Sequence, residues 1–359
     1  MFFHSVDTIH ICPTRTFCDL GSTLIKIGIN GFGRIGRNVF RAALDNSGLG
    51  KSFDIVAVND IAPIDSLAYM LKWDSIYGKL DKTVKVEGTA INVGGRKLEI
   101  TQVKDPADIP WKKLGAEVVI ESTGLFTEKE KAAKHLTAGA RKVLISAPGK
   151  DVDITLVLGV NFEMYDKAKH NVVSMASCTT GSLAPPAKVI NDKFGIEKGM
   201  MTTIHAYTGD QRLIDMPHKD FRRGRAASLS IIPTSTGAAK AIGEVIPALK
   251  GKMNGFALRV PTPCGSITDL SFTTKQEATA EELNKVLKDA AEGKMKGIME
   301  YCTEPIVSSD IIGNPHSAVI DSLSTMVIGG KGNFAKILSW YDNEWGYSNR
   351  VVELAQKLL

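Results

Sequence analysis

Ser177-Cys178-Thr179-Thr180 follows the apolar pair Val172-Val173 and precedes a helix-like stretch that runs to Asp192. A cysteine placed there would feel the positive end of a helix dipole, which lowers a thiol pKa and raises the thiolate fraction. A buried, inert cysteine is the ordinary alternative. Pro185-Pro186 falls inside the same stretch, so the helix is expected to begin late or to bend. Further along, His205 stands in the strand-like run Thr202-Thr203-Ile204-His205-Ala206-Tyr207. A thiol and an imidazole can act as nucleophile and base. A lone histidine is as readily structural, and spacing does not prove that the two meet.

A second group of residues could hold a dinucleotide. Gly31-Phe32-Gly33-Arg34-Ile35-Gly36 follows one expected strand and opens an expected helix, the setting that a G-x-G-x-x-G turn requires. The first glycine permits the tight turn, the second lets backbone approach a pyrophosphate, and the third allows close packing of helix on strand. The helix N-terminus stabilises the phosphate charge. Asp60 ends the next strand, close to the spacing of about 20 residues expected for the acid that accepts from ribose hydroxyls. Its charge would repel a 2′-phosphate, favouring NAD over NADP. The alternative is that Asp60 only caps the helix that follows.

These residues need elements to hold them. The apolar run Leu24 to Ile29, the glycine-rich turn, and Arg34 to Asn46 with Ile35, Val39, Phe40 and Leu44 at helical spacing read as strand, turn and helix. Further runs at Ile55 to Val58, Val118 to Ile120, Val143 to Ile145 and Thr155 to Leu158 alternate with helical stretches such as Glu128 to Ala138. Strands separated by helices imply a parallel sheet. Beyond Cys178 the runs lengthen, at Met201 to Tyr207, Phe256 to Val260, Ile267 to Thr274 and Phe334 to Tyr341, with helices near Gly237 to Leu249 and Glu281 to Ala291. The fold class is therefore α/β: a Rossmann-type dinucleotide-binding domain over 24–177, and a second, α+β catalytic domain on a mixed sheet over 178–341. The segment 342–359 carries Val351, Leu354, Ala355 and Leu358 on one helical face and is expected to return to the first domain.

Composition sets limits. With 359 residues, 43% hydrophobic and 23% charged, the chain can bury two domain-sized cores. The 44 basic and 39 acidic residues leave a net charge of +5, too mild to argue for nucleic acid or an anionic membrane as primary partner, though small anions fit. Cys12, Cys18, Cys178, Cys264 and Cys302 are odd in number and far apart with no C-x-x-C pair. Neither a disulfide framework nor a metal site is indicated, and a reducing cytoplasm is the expected setting. No run approaches the roughly 18–20 apolar residues needed to cross a bilayer. Residues 1–23 lack the marks of a targeting segment and read as a poorly ordered extension.

Six motifs in order carry a family resemblance: Ile27-Gly28-Ile29-Asn30 with the glycine turn, Ser177-Cys178-Thr179-Thr180, His205-Ala206-Tyr207-Thr208, Ser235-Thr236-Gly237-Ala238-Ala239-Lys240, Arg259-Val260-Pro261-Thr262 and Trp340-Tyr341-Asp342-Asn343-Glu344-Trp345-Gly346-Tyr347. Together, from about Leu24 to the C-terminus, they resemble the phosphorylating glyceraldehyde-3-phosphate dehydrogenases. The resemblance implies that Cys178 attacks the aldehyde of glyceraldehyde 3-phosphate while His205 takes the proton, and that hydride passes to NAD. Inorganic phosphate would then release 1,3-bisphosphoglycerate from the thioester, with Ser177, Thr179, Thr208, Arg223, Thr236, Gly237 and Arg259 as the anion-binding positions. It further implies that Asn343 holds the nicotinamide carboxamide, that Arg34 and Ile35 hold the pyrophosphate, and that Lys104, Thr123 and Ser146 surround the adenosine. Pro217 matches NAD-preferring members. A homotetramer is implied, in which the loop Gly209 to Ile232 reaches a neighbour.

One departure stands out: Gly181-Ser182 follows Cys178-Thr179-Thr180 where most members carry Asn-Cys. It touches the support of the catalytic helix and removes the nearest thiol neighbour. Two rival readings share these motifs. Erythrose-4-phosphate dehydrogenase hydrolyses its thioester, and an RNA-binding or surface-adhesive protein could use the basic run His218 to Arg225, which otherwise reads as a solvated loop. Deleting Met1 to Thr23 is expected to leave activity and melting temperature nearly unchanged; a melting temperature several degrees lower would show that the segment docks on the core.

Overall fold

The computed structural model describes residues 24–359, and the extension expected over residues 1–23 lies outside them. The strands of the two main sheets are β1 (Ile25–Asn30), β2 (Phe53–Asn59), β3 (Val84–Glu87), β4 (Ala90–Val93), β5 (Arg96–Thr101), β6 (Val118–Glu121), β7 (Lys142–Ile145), β8 (Ile154–Thr155), β9 (Val172–Ser174), β10 (Ile196–Ala206), β11 (Ile232–Ser235), β12 (Met253–Val260), β13 (Ser266–Thr279), β14 (Met299–Cys302), β15 (Ala318–Val327) and β16 (Lys331–Tyr341). The main helices are α1 (Arg34–Asp45), α2 (Ile64–Lys72), α3 (Cys178–Phe194), α4 (Ala238–Val245), α5 (Ala280–Glu292) and α6 (Trp345–Ala355).

The first sheet has nine strands in the order β8-β9-β7-β6-β1-β2-β5-β4-β3. From β8 across to β5 every pairing is parallel, and β3–β4–β5 is an antiparallel meander. The chain passes from β1 to β2 on one side and only later reaches β6 on the other. The C-terminal end of β1 is thus a topological switch point, the place where open α/β sheets take their ligands. Two expected elements differ. The stretch Glu128 to Ala138 splits into short helices Lys129–Ala132 and Lys134–Thr137. The run Thr155 to Leu158 pairs only at Ile154–Thr155, because the Val157 N–H turns to Asn161 Oδ1 at 2.8 Å and leaves the ladder.

Three polar residues are buried where β1, β2 and β6 end, and their hydrogen bonds close on one another. Glu121 accepts at Oε2 from Asn30 Nδ2 at 2.6 Å and lies 3.0 Å from His135 Nε2; its Oε1 takes the Thr123 N–H at 2.8 Å. Trp111 Nε1, which can only donate, reaches His135 Nδ1 at 2.9 Å, so the histidine proton sits on Nε2 and points at the carboxylate. Asn59 Nδ2 donates to Asn30 Oδ1 at 2.8 Å. A buried carboxylate is tolerable only when its lone pairs are met in this way.

The second sheet has seven strands in the order β11-β12-β10-β13-β16-β15-β14, with β10–β12 and β14–β15 parallel and the rest antiparallel. Helices α3, α4 and α5 bury Leu183, Ile190, Ile242, Leu283 and Leu287 in one core against it. Helix α6 packs elsewhere: Val351, Val352, Leu354 and Leu358 join the core of the first sheet with Ile27, Ile29 and Val39.

Helix α3 begins at Cys178 and continues through both prolines, so it does not start late. Each proline removes an N–H from the ladder and releases the carbonyl four residues earlier. The Ser182 carbonyl freed by Pro186 is reached by the Ser339 hydroxyl of β16 at 3.3 Å, and the two hydroxyls lie 2.9 Å apart. A Cβ added at Gly181 would meet nothing nearer than Ser317 Cβ at 3.9 Å.

Two stability changes follow from this packing. Glu121→Gln turns one acceptor into a donor facing donors and is expected to cost about 2–3 kcal/mol in urea unfolding. Gly181→Ala places a good helix former where there is room and is expected to stabilise by about 0.5–1 kcal/mol in the same assay, with catalytic turnover unchanged.

Candidate active site

At the switch point the three glycines meet three different constraints. Gly31 has φ +91°, and a Cβ there would fall 2.7 Å from the Thr123 nitrogen. A Cβ at Gly36 would fall 2.1 Å from the Gly31 oxygen, so helix α1 sits directly on the turn. Gly33 is open, with nothing within 4 Å of an added Cβ. As N-cap of α1 it makes no side-chain cap, which leaves the Arg34, Ile35 and Gly36 N–H groups as donors at the positive end of the helix dipole. A cleft of about 430 Å³ opens here, lined by Gly31, Gly33, Asp60, Lys104, Thr123 and Phe126. Uncapped donors beside an open glycine and an acid fit a dinucleotide.

Asp60 does more than face the cleft. Its Oδ2 accepts the Phe32 N–H at 2.7 Å and its Oδ1 the Ala62 N–H at 2.9 Å, so the carboxylate also ties the glycine turn to the loop after β2. It does not cap α2, whose N-cap is Pro63. The Arg34 guanidinium turns away from the turn, onto Asp74 Oδ2 at 2.5 Å and the Glu344 carboxylate. Only the Arg34 backbone remains for a pyrophosphate. Ser146 does not line the cleft; its Oγ donates to the Glu121 carbonyl at 3.1 Å.

Cys178 is the first residue of α3, and Ser177 caps the helix by accepting the Thr180 N–H at 3.1 Å. The turn from β9 into α3 passes through Ala176 at φ +55°, a conformation uncommon outside glycine. Its N–H is held by Ser174 Oγ at 3.0 Å and its carbonyl by Tyr347 Oη at 3.0 Å. Cys178 Sγ lies 3.5 Å from His205 Nε2 at the end of β10. His205 Nδ1 is 2.6 Å from the Ala206 carbonyl, which can only accept, and 2.9 Å from Arg259 Nη1, which can only donate; because Nη1 has the same carbonyl as its acceptor, the shorter contact places the ring proton on Nδ1, and Nε2 presents its lone pair to the thiol. Arg259 on β12 pairs in register with His205, and its Nη1 donates to the same carbonyl at 3.1 Å.

These surroundings set the ionisation. Burial pushes the Cys178 thiol up to about 11, against the pull of Arg259 and the Thr179 N–H, so the thiol is not depressed as the helix position alone predicts. Burial, followed by the Arg259 charge, drives His205 down to about 3. Burial thus favours the neutral form of both members of the pair.

The anion-binding candidates surround this pair unevenly. Arg259 has a buried Nε without a partner among the described residues, a donor awaiting an acceptor. Arg223 is engaged, with Nη1 on Asp210 at 2.5 Å and Nε on Thr234 Oγ1 at 2.9 Å. Thr179 Oγ1 is 2.9 Å from Tyr341 Oη, which also lies 2.8 Å from Thr203 Oγ1. Thr236 Oγ1 accepts the Ala238 N–H at 3.2 Å, with Gly237 as N-cap of α4, and the Thr208 N–H reaches Gln211 Oε1 at 3.4 Å. Asn343 is buried, with Oδ1 2.9 Å from Ser266 Oγ. Sequence reasoning missed Tyr341, Asp74, Ser266 and Glu344 as supports. Tyr341 and Glu344 lie within a quoted motif; Asp74 and Ser266 carry no sequence signal.

Comparison with known proteins agrees with this arrangement. The family model for the glyceraldehyde 3-phosphate dehydrogenase NAD binding domain matches residues 25–129, and that for the C-terminal domain matches residues 177–343. A glyceraldehyde-3-phosphate dehydrogenase of Priestia megaterium is 59% identical over 332 residues, covering 92% of this chain and 97% of the relative. Glyceraldehyde-3-phosphate dehydrogenase 1 of Bacillus subtilis is 59% identical and the enzyme of Geobacillus stearothermophilus 56% identical, each with the same coverage of both chains. A Rossmann-type nucleotide domain, a mixed-sheet partner and this degree of identity lead to one conclusion: the chain belongs to the glyceraldehyde-3-phosphate dehydrogenase family.

Proposed function

We infer that the chain oxidises glyceraldehyde 3-phosphate with NAD and inorganic phosphate to 1,3-bisphosphoglycerate, through a thioester on Cys178. The observation that carries the reading is the 3.5 Å approach of Cys178 Sγ to the bare Nε2 of His205. As sulfur bonds to the aldehyde carbon, its proton passes to Nε2, so the thiolate never stands alone in the buried site. The Cys178 N–H, in the first turn of α3, faces the oxygen that gains charge. His205 returns the proton to that oxygen and takes it back as hydride leaves the carbon. NAD, when bound, supplies the hydride acceptor. Phosphate then attacks the thioester carbonyl, the carbon–sulfur bond breaks, and the thiol regains its proton.

Arg259 is the anion-binding residue with the strongest support, because its buried Nε has no partner. Arg223 takes part by exchanging Asp210 for substrate or phosphate, with Ser177, Thr179, Thr208, Thr236 and Gly237 supplying hydroxyls and amides. For the cofactor, Gly31, Gly33, Gly36 and the Arg34 and Ile35 N–H groups take the pyrophosphate, Asp60 the ribose, Lys104 and Thr123 the adenosine, and Asn343 the nicotinamide. Ser146, implied with them, donates its hydroxyl proton to the Glu121 carbonyl and leaves its oxygen lone pairs free for a further contact. Residues 24–177 and 178–341 form the two domains, and 342–359 closes the first. The loop 209–232 exposes Leu213, Ile214, Phe221, Leu229 and Ile231, apolar area that supports burial in a homotetramer, and the enzyme is assigned to the cytoplasm.

The test of the overall reading is NADH formation from glyceraldehyde 3-phosphate. Formation should require phosphate, and turnover without phosphate would indicate hydrolysis of the thioester. Asp60→Asn removes the charge and sets an amide donor against one of the two backbone N–H groups that the carboxylate accepts, so NAD affinity should fall; the loss of charge itself is read from a narrower gap to NADP. Full retention of the preference would reduce Asp60 to a backbone tie. Cys178→Ser should abolish NADH formation while NAD still binds. His205→Asn should leave a slow enzyme, and the double variant should be no worse than Cys178→Ser alone. With the thiol raised to about 11, iodoacetamide labelling of Cys178 should climb with pH in both proteins. The wild type should lead at neutral pH, where only the imidazole can take the proton, and the curves should converge toward pH 11. Superimposable curves would remove His205 as the base.

A further inference from the structure

Asn343 is flanked by backbone that buried hydrogen bonds hold in place. The buried Asp342 carboxylate accepts from Tyr77 Oη at 2.8 Å, from the Glu344 and Trp345 N–H groups at 2.9 and 2.8 Å, and from the Gly313 N–H at 2.8 Å. What remains free at Asn343 is its side-chain rotation, above all which end of the amide faces inward. Oxygen and nitrogen have the same shape, so packing cannot choose between them; a hydrogen bond of known direction can.

Ser266 supplies that direction. It is fully buried at the start of β13, and its Oγ accepts the Ala206 N–H at 3.0 Å. A backbone N–H can only donate, so the serine proton is left to donate elsewhere, and Asn343 Oδ1 lies 2.9 Å away. The amide is thereby held with oxygen inward and Nδ2 outward as a donor. Ala206 is also the residue whose carbonyl fixes His205 Nδ1. One hydroxyl joins the amide of Asn343 to the strand end that carries the base.

We propose that Ser266 is a positioning residue for the reaction, holding the Asn343 amide so that Nδ2 donates to the carboxamide oxygen of the nicotinamide. The proposal rests on the reading of Asn343 as the nicotinamide contact. It predicts an effect confined to the nicotinamide half of the cofactor, which a general loss of structure would not produce.

The experiment is calorimetric titration of wild type, Ser266→Ala, Ser266→Cys, Asn343→Ala and the double variant Ser266→Ala/Asn343→Ala with NAD and, separately, with ADP-ribose, which lacks the nicotinamide. Ser266→Ala should weaken NAD about tenfold, the effect of one hydrogen bond, and leave ADP-ribose unchanged. Ser266→Cys retains a weak donor and should recover part of the loss. The double variant should bind NAD no more weakly than Asn343→Ala, because the serine acts through the amide. Equal weakening of both ligands by Ser266→Ala and Ser266→Cys would make the serine a structural residue and overturn the proposal, as would unchanged NAD affinity. If Asn343→Ala weakens NAD and ADP-ribose alike, the reading of Asn343 fails and the proposal falls with it. If Asn343→Ala separates the two ligands and Ser266→Ala does not, only the serine's role falls.

Discussion

The contact of 2.6 Å between His205 Nδ1 and the Ala206 carbonyl, shorter than the 2.9 Å approach of Arg259 Nη1 to the same nitrogen, sets which ring nitrogen carries the proton, and the proposed chemistry depends on that choice. With the proton on Nδ1, Nε2 is an acceptor; with the opposite tautomer it would offer a proton to a thiol that already has one. The carbonyl is held in turn by Arg259 Nη1, so the charge proposed to bind an anion also steadies the proposed base. Facing them, Ser177 caps α3 and the left-handed turn at Ala176 aims its first residue. A rigid strand end and a rigid helix start bring sulfur and nitrogen to 3.5 Å.

The same logic joins parts of the chain that are far apart in sequence. Helix α6 leaves the second sheet and packs in the core of the first. Glu344, just before it, takes the Arg34 side chain that Asp74 holds from the other side. That pairing keeps the guanidinium off the glycine turn and leaves the uncapped N–H groups of α1 as the local donors. It also fixes the chain on one side of Asn343 to the start of α1, so the residues assigned to the two ends of the cofactor belong to one hydrogen-bonded frame.

Much of this was legible in the sequence because it lives in local patterns. The strand–glycine–helix signature, the switch to longer strands after Cys178 and the amphipathic face at Val351 to Leu358 each depend on residues within one or two turns. What escaped depends on space. The expected strand over Thr155 to Leu158 stops short because the Val157 N–H turns to the Asn161 side chain. The helix position alone points to a lowered Cys178 pKa, whereas desolvation by the surrounding residues pushes it up. The Arg34 side chain pairs with carboxylates and the Ser146 hydroxyl donates to the Glu121 carbonyl, contacts that the family resemblance alone does not reveal. Ser266 had no signal at all, since its meaning lies in which two buried groups it touches.

A raised thiol and a depressed imidazole suit the proposed reaction better than a standing ion pair would. Separating charge in a buried site is costly unless partners are already in place. Here the stabilising groups, the amides at the start of α3 and the Arg259 guanidinium, are fixed before any charge forms, so they act on the reacting state rather than on the resting one. That arrangement requires α3 to hold its position despite two prolines. Ser182, where most members carry cysteine, bears on this requirement: its hydroxyl lies 2.9 Å from that of Ser339, which also reaches the carbonyl freed by Pro186. Two hydroxyls can donate and accept at once, whereas a thiol is a weaker partner on both counts. The serine therefore ties α3 to β16 at the point where its own backbone ladder is interrupted, and Cys178, one turn earlier, keeps its position.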